Sequence, residues 1–599
     1  MPAPSRRANS TSNAVSVANT FCAQVSRKLI SGKIPTNLST SVRVRRESLP
    51  GRQEPYPSES KPLCGWPLLA IAGSALAVVL PFLVLGIPSG HDFEFHLHSW
   101  MEVDAQWRQG IVYPHWAALA HYGFGETRFL FYPPASWLLG GILGAILPWA
   151  AVPGVYVWLA LTLSGCSMFL LARSWIDRRD AVFAAALFIA NPYYLVEVYW
   201  RSAFAELLAG AWLPLLLLYA LRLEDRDSRA RVRLALVIAG AALTNAPASL
   251  MVNYSFALLA FVLAFRLRSP KILWAATLAA GLGVSLAAFY ILPAFYEQPW
   301  INLAQVLSEG VRPQDNYLFT TIADPVHNRF NLFISLVATA EFVVLAIAAF
   351  GWRNGRSQRP QLWWTLLIWA ATSTWLMLSP SAIFWAHLPW LRFVQLPWRW
   401  LLCLNLILAL LVTLAWRHWV WRGVIPLALL AVLLLTGHRV QPPWWDRASD
   451  VAQLLRQHEG GAGYEGADEY APAGADPYNI KLDAPRLAFL GSGAARFNVD
   501  QWGPEKRSFT AEVSQPGQVA VRLFAYPAWR VEVNGRRVSP EVLEDDGQML
   551  IPIPAGVSRV EIRFVRTWDR TLGEACSLIA VAGLLVWSTK HRRLLKAQK

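Results

Sequence analysis

A succession of apolar blocks constrains this chain more than any other feature. They lie near residues 64–88, 134–150, 152–173, 181–196, 204–221, 232–248, 250–265, 272–293, 331–350, 362–378, 398–416, 422–437 and 572–588. About 20 apolar residues in a helix cross a bilayer, and a helix satisfies its own backbone polar groups there. Charged residues make up only 16% of the chain against 55% hydrophobic, whereas a soluble domain carries about 25% charged residues. The fold class read from this pattern is an all-α polytopic membrane protein of about twelve transmembrane helices.

The net charge of +15 raises the question of nucleic acid, and its placement answers it. Lys and Arg gather at the chain ends and in short loops between apolar blocks: Arg178-Arg179, Arg222 to Arg233, Arg266 to Lys271, Arg353 to Arg359, Arg417 to Arg422 and Lys590 to Lys599. That is the positive-inside pattern of a membrane protein, and the thirty Trp fit interfacial belts. These loops are assigned to the cytoplasm, with both termini inside and no nucleic-acid partner. Residue 100 then lies outside and residue 178 inside, so an odd number of crossings separates them. Two apolar blocks occupy that interval, and Pro134–Trp149 is expected only to dip into the outer leaflet.

Residues 1–63 read as a basic, disordered cytoplasmic leader, with no Asp or Glu before Glu47. Residues 64–437 form the membrane body, interrupted by a first outward loop at 89–133. Residues 438–570 are an outward module whose end is β-rich: Ser508–Val513, Gln518–Ala525, Trp529–Val533, the turn pair Asn534-Gly535, Met549–Pro554 and Arg559–Phe564. A small C-terminal β-sandwich is expected there. Residues 571–599 supply a last transmembrane helix and a basic tail. The five cysteines lie far apart and indicate no disulfide framework or metal-type pair.

The first outward loop concentrates the chemistry. Asp92, Glu94, His96 and His98 fall within seven residues, beside apolar sequence, where ionisable groups are costly and so are functional candidates. Extended, all four share one side; helical, Asp92 faces His96, and Glu94 faces His98 and Glu102. Either conformation offers acid and imidazole for general base work or for a divalent metal. Candidate catalytic residues are Asp92, Glu94 and His96, and candidate metal ligands are Asp92, His96 and His98. Arg201, Arg392 and Arg399 fall at the outer face, where guanidinium suits phosphate. Glu206, at the start of an apolar block, is a partner for Arg201, as is Glu197.

The order Asp92…His96, Gly110…Tyr113-Pro114…Trp116, Gly123-Phe-Gly125 and Phe131-Tyr-Pro-Pro134 resembles the bacterial membrane family named 6-pyruvoyl-tetrahydropterin synthase-related. Asn191-Pro192, Arg201…Glu206 and Val394-Gln-Leu-Pro-Trp-Arg399 continue the likeness. Two positions depart from it: Glu126 stands where a small or apolar residue is expected, and Thr244-Asn-Ala-Pro247 where relatives carry a His-Pro pair. The family is similar in layout to the GT-C superfamily, which moves sugars from polyprenyl-phosphate carriers. The resemblance implies a glycosyltransferase-like enzyme in a bacterial inner membrane, with Asp92 as base or metal ligand and His96 its partner. It implies substrate contacts at Arg201, Glu206, Gln395, Arg399 and Tyr113. The partners implied are membrane lipid, a polyprenyl-phosphate sugar, and a glycan, protein or lipid acceptor. Two rivals are a transporter or flippase of lipid-linked glycans and a non-catalytic envelope scaffold.

Overall fold

The computed structural model describes residues 64–225 and 228–597; the leader read from residues 1–63 lies outside them. All twelve apolar blocks expected to cross are helical. Among the described residues, nine helices are long and apolar enough to span a membrane. Two bent pairs bring the number to eleven: Lys271–Leu286 with Ala288–Tyr296, turned by 79°, and Pro360–Leu376 with Ser379–His387, turned by 94°. The twelfth, Ser228–Thr244, has only 17 residues, short of the roughly 20 that span a bilayer. Pro134–Ile146 has 13 residues and at 1.5 Å per residue is about 20 Å long, against a hydrocarbon core of about 30 Å.

Helix Pro397–Ala415 is the axis of the bundle, with 89% of its apolar stretch buried, whereas Trp66–Leu85 and Trp568–Lys590 at the periphery have 17% and 11%. Helix starts are set by side-chain caps. Asp177, Asn191, Asn245 and Asp324 each accept from the first free backbone N–H groups, which would otherwise be unsatisfied in an apolar medium.

The first loop folds as a helix, Phe93–Arg108, hereafter the loop helix. It lies on Pro134–Ile146 because Gly140 and Gly141 present no side chain. A Cβ at Gly140 would sit 2.2 Å from the Trp100 ring, and one at Gly141 would sit 2.8 Å from Val103. A two-residue pairing of Ile87–Pro88 with Trp445–Asp446 ties the start of this loop to the segment after the bundle.

The C-terminal module is two antiparallel sheets. One runs in the spatial order Ala495–Trp502, Lys506–Val513, Gly556–Phe564, Trp529–Val533, Arg536–Val538. The other runs Leu487–Leu490, Gly517–Phe524, Gln548–Ile553, Glu541–Val542. Asn534 and Gly535 both take positive φ, 52° and 77°, as a two-residue hairpin turn demands. The sheets enclose Phe509, Val519, Val521, Leu523, Val531, Ile551 and Ile562. Trp116, Phe124 and Leu130 of the first loop complete that core. Loop and module are therefore one packed unit, although 413 positions of sequence separate Trp116 from its face-on-edge neighbour Trp529 (ring centroids 5.3 Å apart).

Candidate functional site

The site begins with one close backbone approach. Gly90 runs against Trp200 and Arg201 so tightly that a Cβ there would lie 2.3 Å from the Trp200 carbonyl oxygen. The Gly90 N–H donates to Ser202 Oγ (2.9 Å), Ser202 Oγ donates to the Pro88 carbonyl (2.9 Å), and the Asp92 N–H donates to the Arg201 carbonyl (2.8 Å). Ser202 is left-handed, at φ 52°. Glu197–Arg201 is wound as a π-turn, a distortion that occurs often at functional sites. These contacts fix Asp92 at the start of the loop helix, beside the Arg201 guanidinium.

Arg201 is buried and touches three carboxylates: Glu197 at 2.7 Å, Glu206 at 2.9 Å and Asp92 at 3.3 Å. Its guanidinium also lies 5.0 Å over the Trp398 ring. Arg399 bonds Glu206 (3.0 Å), the Val394 carbonyl (2.8 Å) and Gln395 Oε1 (3.0 Å), and the Tyr193 hydroxyl donates to Glu206 (2.7 Å). Only Asp92 of these acids keeps substantial exposure, 38% of its side chain. It faces a cavity of about 330 Å³ whose walls include His96, Tyr132, Pro247, Gln395, Arg399 and Glu469. The departing sequence Asn245-Ala-Pro247 lines this cavity too.

Gln395 carries backbone strain. Its φ and ψ are 65° and −61°, and the Leu396 N–H donates to the Val394 carbonyl (2.8 Å), closing a rare strained γ-turn. Its amide donates to the Val306 carbonyl (2.8 Å) while its oxygen receives Arg399. Strain of this kind persists where surrounding contacts over-determine it, and it clusters at functional sites.

The structure sorts the sequence candidates. Asp92, His96, Arg201, Glu206, Gln395 and Arg399 share the cavity wall. His96 is packed among Trp100, Tyr132 and Phe204; burial, set against the nearby Asp92, lowers its pKa to about 4, so it is neutral near pH 7. Glu94, His98 and Tyr113 lie elsewhere. Because the segment is helical, successive residues turn by about 100°, and the acid–imidazole group splits between faces. Glu94 is exposed. His98 stacks on Tyr464 with ring centroids 4.0 Å apart. Tyr113 packs against Trp137 and Phe289 rings. The expected ligand set Asp92, His96 and His98 is thus not brought together. Among the described residues no three or more His, Cys, Asp or Glu side chains are grouped to hold a metal ion. Arg201, expected in a phosphate clamp, is instead engaged by three carboxylates, Asp92 among them.

Glu469 is the functional candidate that the sequence reading missed. It stands on the single turn Asp468–Tyr470, within an acidic stretch that reads as a solvated loop. That stretch instead folds over the loop helix. Tyr464 stacks on His98, and the Ala467 N–H donates to Glu126 (2.7 Å). Burial pushes the Glu469 carboxyl up to about 7, the range of a group that exchanges protons near neutrality.

A family model described as 6-pyruvoyl-tetrahydropterin synthase related domain, membrane protein, matches residues 129–440, just over half of the chain. No curated protein matches. Among solved structures, the apo oligosaccharyltransferase of Archaeoglobus fulgidus is similar over 67% of this chain, at 15% identity and a TM-score of 0.35. The chain covers 56% of that protein.

Proposed function

We propose that this chain, which belongs to the 6-pyruvoyl-tetrahydropterin synthase-related family of membrane proteins, transfers a glycosyl group from a polyprenyl-phosphate donor to an acceptor on the extracytoplasmic side. The observation that carries the reading is the half-exposed Asp92 carboxylate, held by buried Arg201 at the wall of a 330 Å³ cavity. A group of that kind removes the proton from an incoming hydroxyl, a role worth about 10² to 10⁴ in rate. Arg399 stands on the same wall, and a guanidinium there neutralises charge that develops on the departing phosphate. Neutral His96 and the rings around it keep the floor apolar. Glu469 returns or relays protons across the cavity.

The test is transfer by purified protein in lipid, using a panel of polyprenyl-phosphate sugars and simple acceptors. Asp92→Asn should lower turnover by about 10² to 10⁴ with an unchanged thermal midpoint, because Asp92 is the least buried member of its cluster. Equal turnover in variant and wild type would remove Asp92 from the mechanism. Loss of envelope phenotype in cells on deleting 438–570, with Asp92→Asn silent, would favour the scaffold reading instead.

A further inference from the structure

A second cavity, of about 530 Å³, opens between the loop helix, the helix Ala448–Glu459 and the C-terminal module. Its module wall carries three arginines. Arg507 projects from strand Lys506–Val513, Arg522 from strand Gly517–Phe524, and Arg486 immediately precedes strand Leu487–Leu490. Arg507 is 1% exposed. Arg507 donates to the Arg522 carbonyl (2.8 Å) and Arg522 to the Ala484 carbonyl (3.1 Å). The Arg507 and Arg486 guanidinium groups lie 4.7 and 5.6 Å from the Trp502 ring centroid.

These arginines have no counter-charge among the described residues. None makes an ion pair among the described residues. The Nε atoms of both Arg507 and Arg522 are buried and have no hydrogen-bond partner among the described residues. The acids facing them across the cavity are engaged or peripheral. Glu102 receives the Ala118 and Leu119 N–H groups and the Tyr464 hydroxyl, Asp104 pairs with Arg108, and Glu459 is exposed at the rim. Burial and the two neighbouring guanidinium groups together lower the Arg507 pKa to about 9.

Buried cations with unfilled donors are costly unless an anion completes them. We propose that Arg486, Arg507 and Arg522 form a binding site for a phosphate group. Three planar forks offer more donors than the two oxygens of a carboxylate accept, and they match the charge and oxygen count of phosphate. The cavity is far larger than one phosphate, so the site takes a phosphate ester whose remainder packs beside Trp502. The residues are separate from those at Asp92, and the site stands whether or not the chain transfers sugars.

The experiment uses the full-length protein in detergent without phosphate, at fixed ionic strength. Thermal unfolding and calorimetric titration are followed with inorganic phosphate, with glycerol phosphate, and with nanodiscs containing phosphatidylglycerol. Wild type should show a saturable rise in melting temperature with a phosphate compound and none with chloride. Arg486→Gln, at an exposed position, and Arg522→Gln should each weaken binding at least tenfold. Without phosphate, Arg522→Gln should melt no lower than wild type, because it removes a like charge. Glycerol phosphate tighter than inorganic phosphate identifies a soluble phosphate ester, and a response confined to the nanodiscs identifies a lipid headgroup. Both support the site. A response equal to that with chloride, or unchanged in both variants, overturns it.

Discussion

Glu297 and Glu206 are both buried carboxylates held by arginine, yet their surroundings differ. Glu297 receives Nε and Nη2 of Arg570 at 2.7 and 2.8 Å, the Tyr526 hydroxyl at 2.5 Å and the Thr567 hydroxyl at 3.3 Å. That cluster joins the end of helix Ala288–Tyr296, the β-module and the start of the last helix, and Glu297, Arg570 and the neighbouring Asp569 are all buried. The cluster around Glu206 holds three acids against two arginines and opens through Asp92 onto a cavity. A fully forked pair sealed in protein fixes elements in place. An acid-rich cluster with one member at a cavity wall has a carboxylate left for chemistry.

Arg201→Met leaves three acids around an empty centre and should cost about 3–5 kcal/mol of stability, read by chemical unfolding, with turnover lost. Arg201→Lys keeps the charge without the fork. It should stay folded and still lose about 10²-fold in turnover through a misplaced Asp92. Arg570→Met should also cost about 3–5 kcal/mol, but the folded fraction should keep its turnover within about twofold, as expected for a surface-remote structural pair. Loss of turnover there would erase the distinction between the two clusters.

Smaller effects come from protons. Glu469, raised to about 7 from an ordinary value of about 4.3, binds its proton more tightly in the folded chain. Its stabilisation is present in acid and is lost as pH rises from about 4.3 to 7. Glu469→Gln should flatten that part of the melting-temperature profile. His98 runs the other way: burial lowers it to about 3, so stability falls as pH drops from about 6.5 towards 3. His98→Phe, which preserves the stack on Tyr464, should lessen that acid lability.

Local pattern carried much of the fold. Apolar length located the helices, and Asn534-Gly535 located the hairpin. Strand Ala495–Trp502 was missed although Ala495, Phe497 and Val499 alternate with Arg496, Asn498 and Asp500; it is an edge, largely exposed, and its alternation is short. The site was legible in its residue types but not in its grouping. Asp92 meets Arg201 across 109 positions, through a glycine contact that no spacing reveals. Glu126, out of place for a small residue, is buried between Arg128 and His121 and receives the Ala467 N–H. It is what holds the acidic segment, and with it Glu469, over the loop helix. Long-range packing of this sort has no periodic signature.

The central claim, that the cavity at Asp92 holds the donor, is tested most directly by photo-crosslinking. A diazirine-bearing polyprenyl-phosphate sugar analogue would be irradiated with the protein in nanodiscs and the adducts mapped by mass spectrometry. The account predicts adducts in 131–133, 245–247 and 395–399, reduced by excess unlabelled donor. Adducts confined to other surfaces, or indifferent to competition, would contradict it.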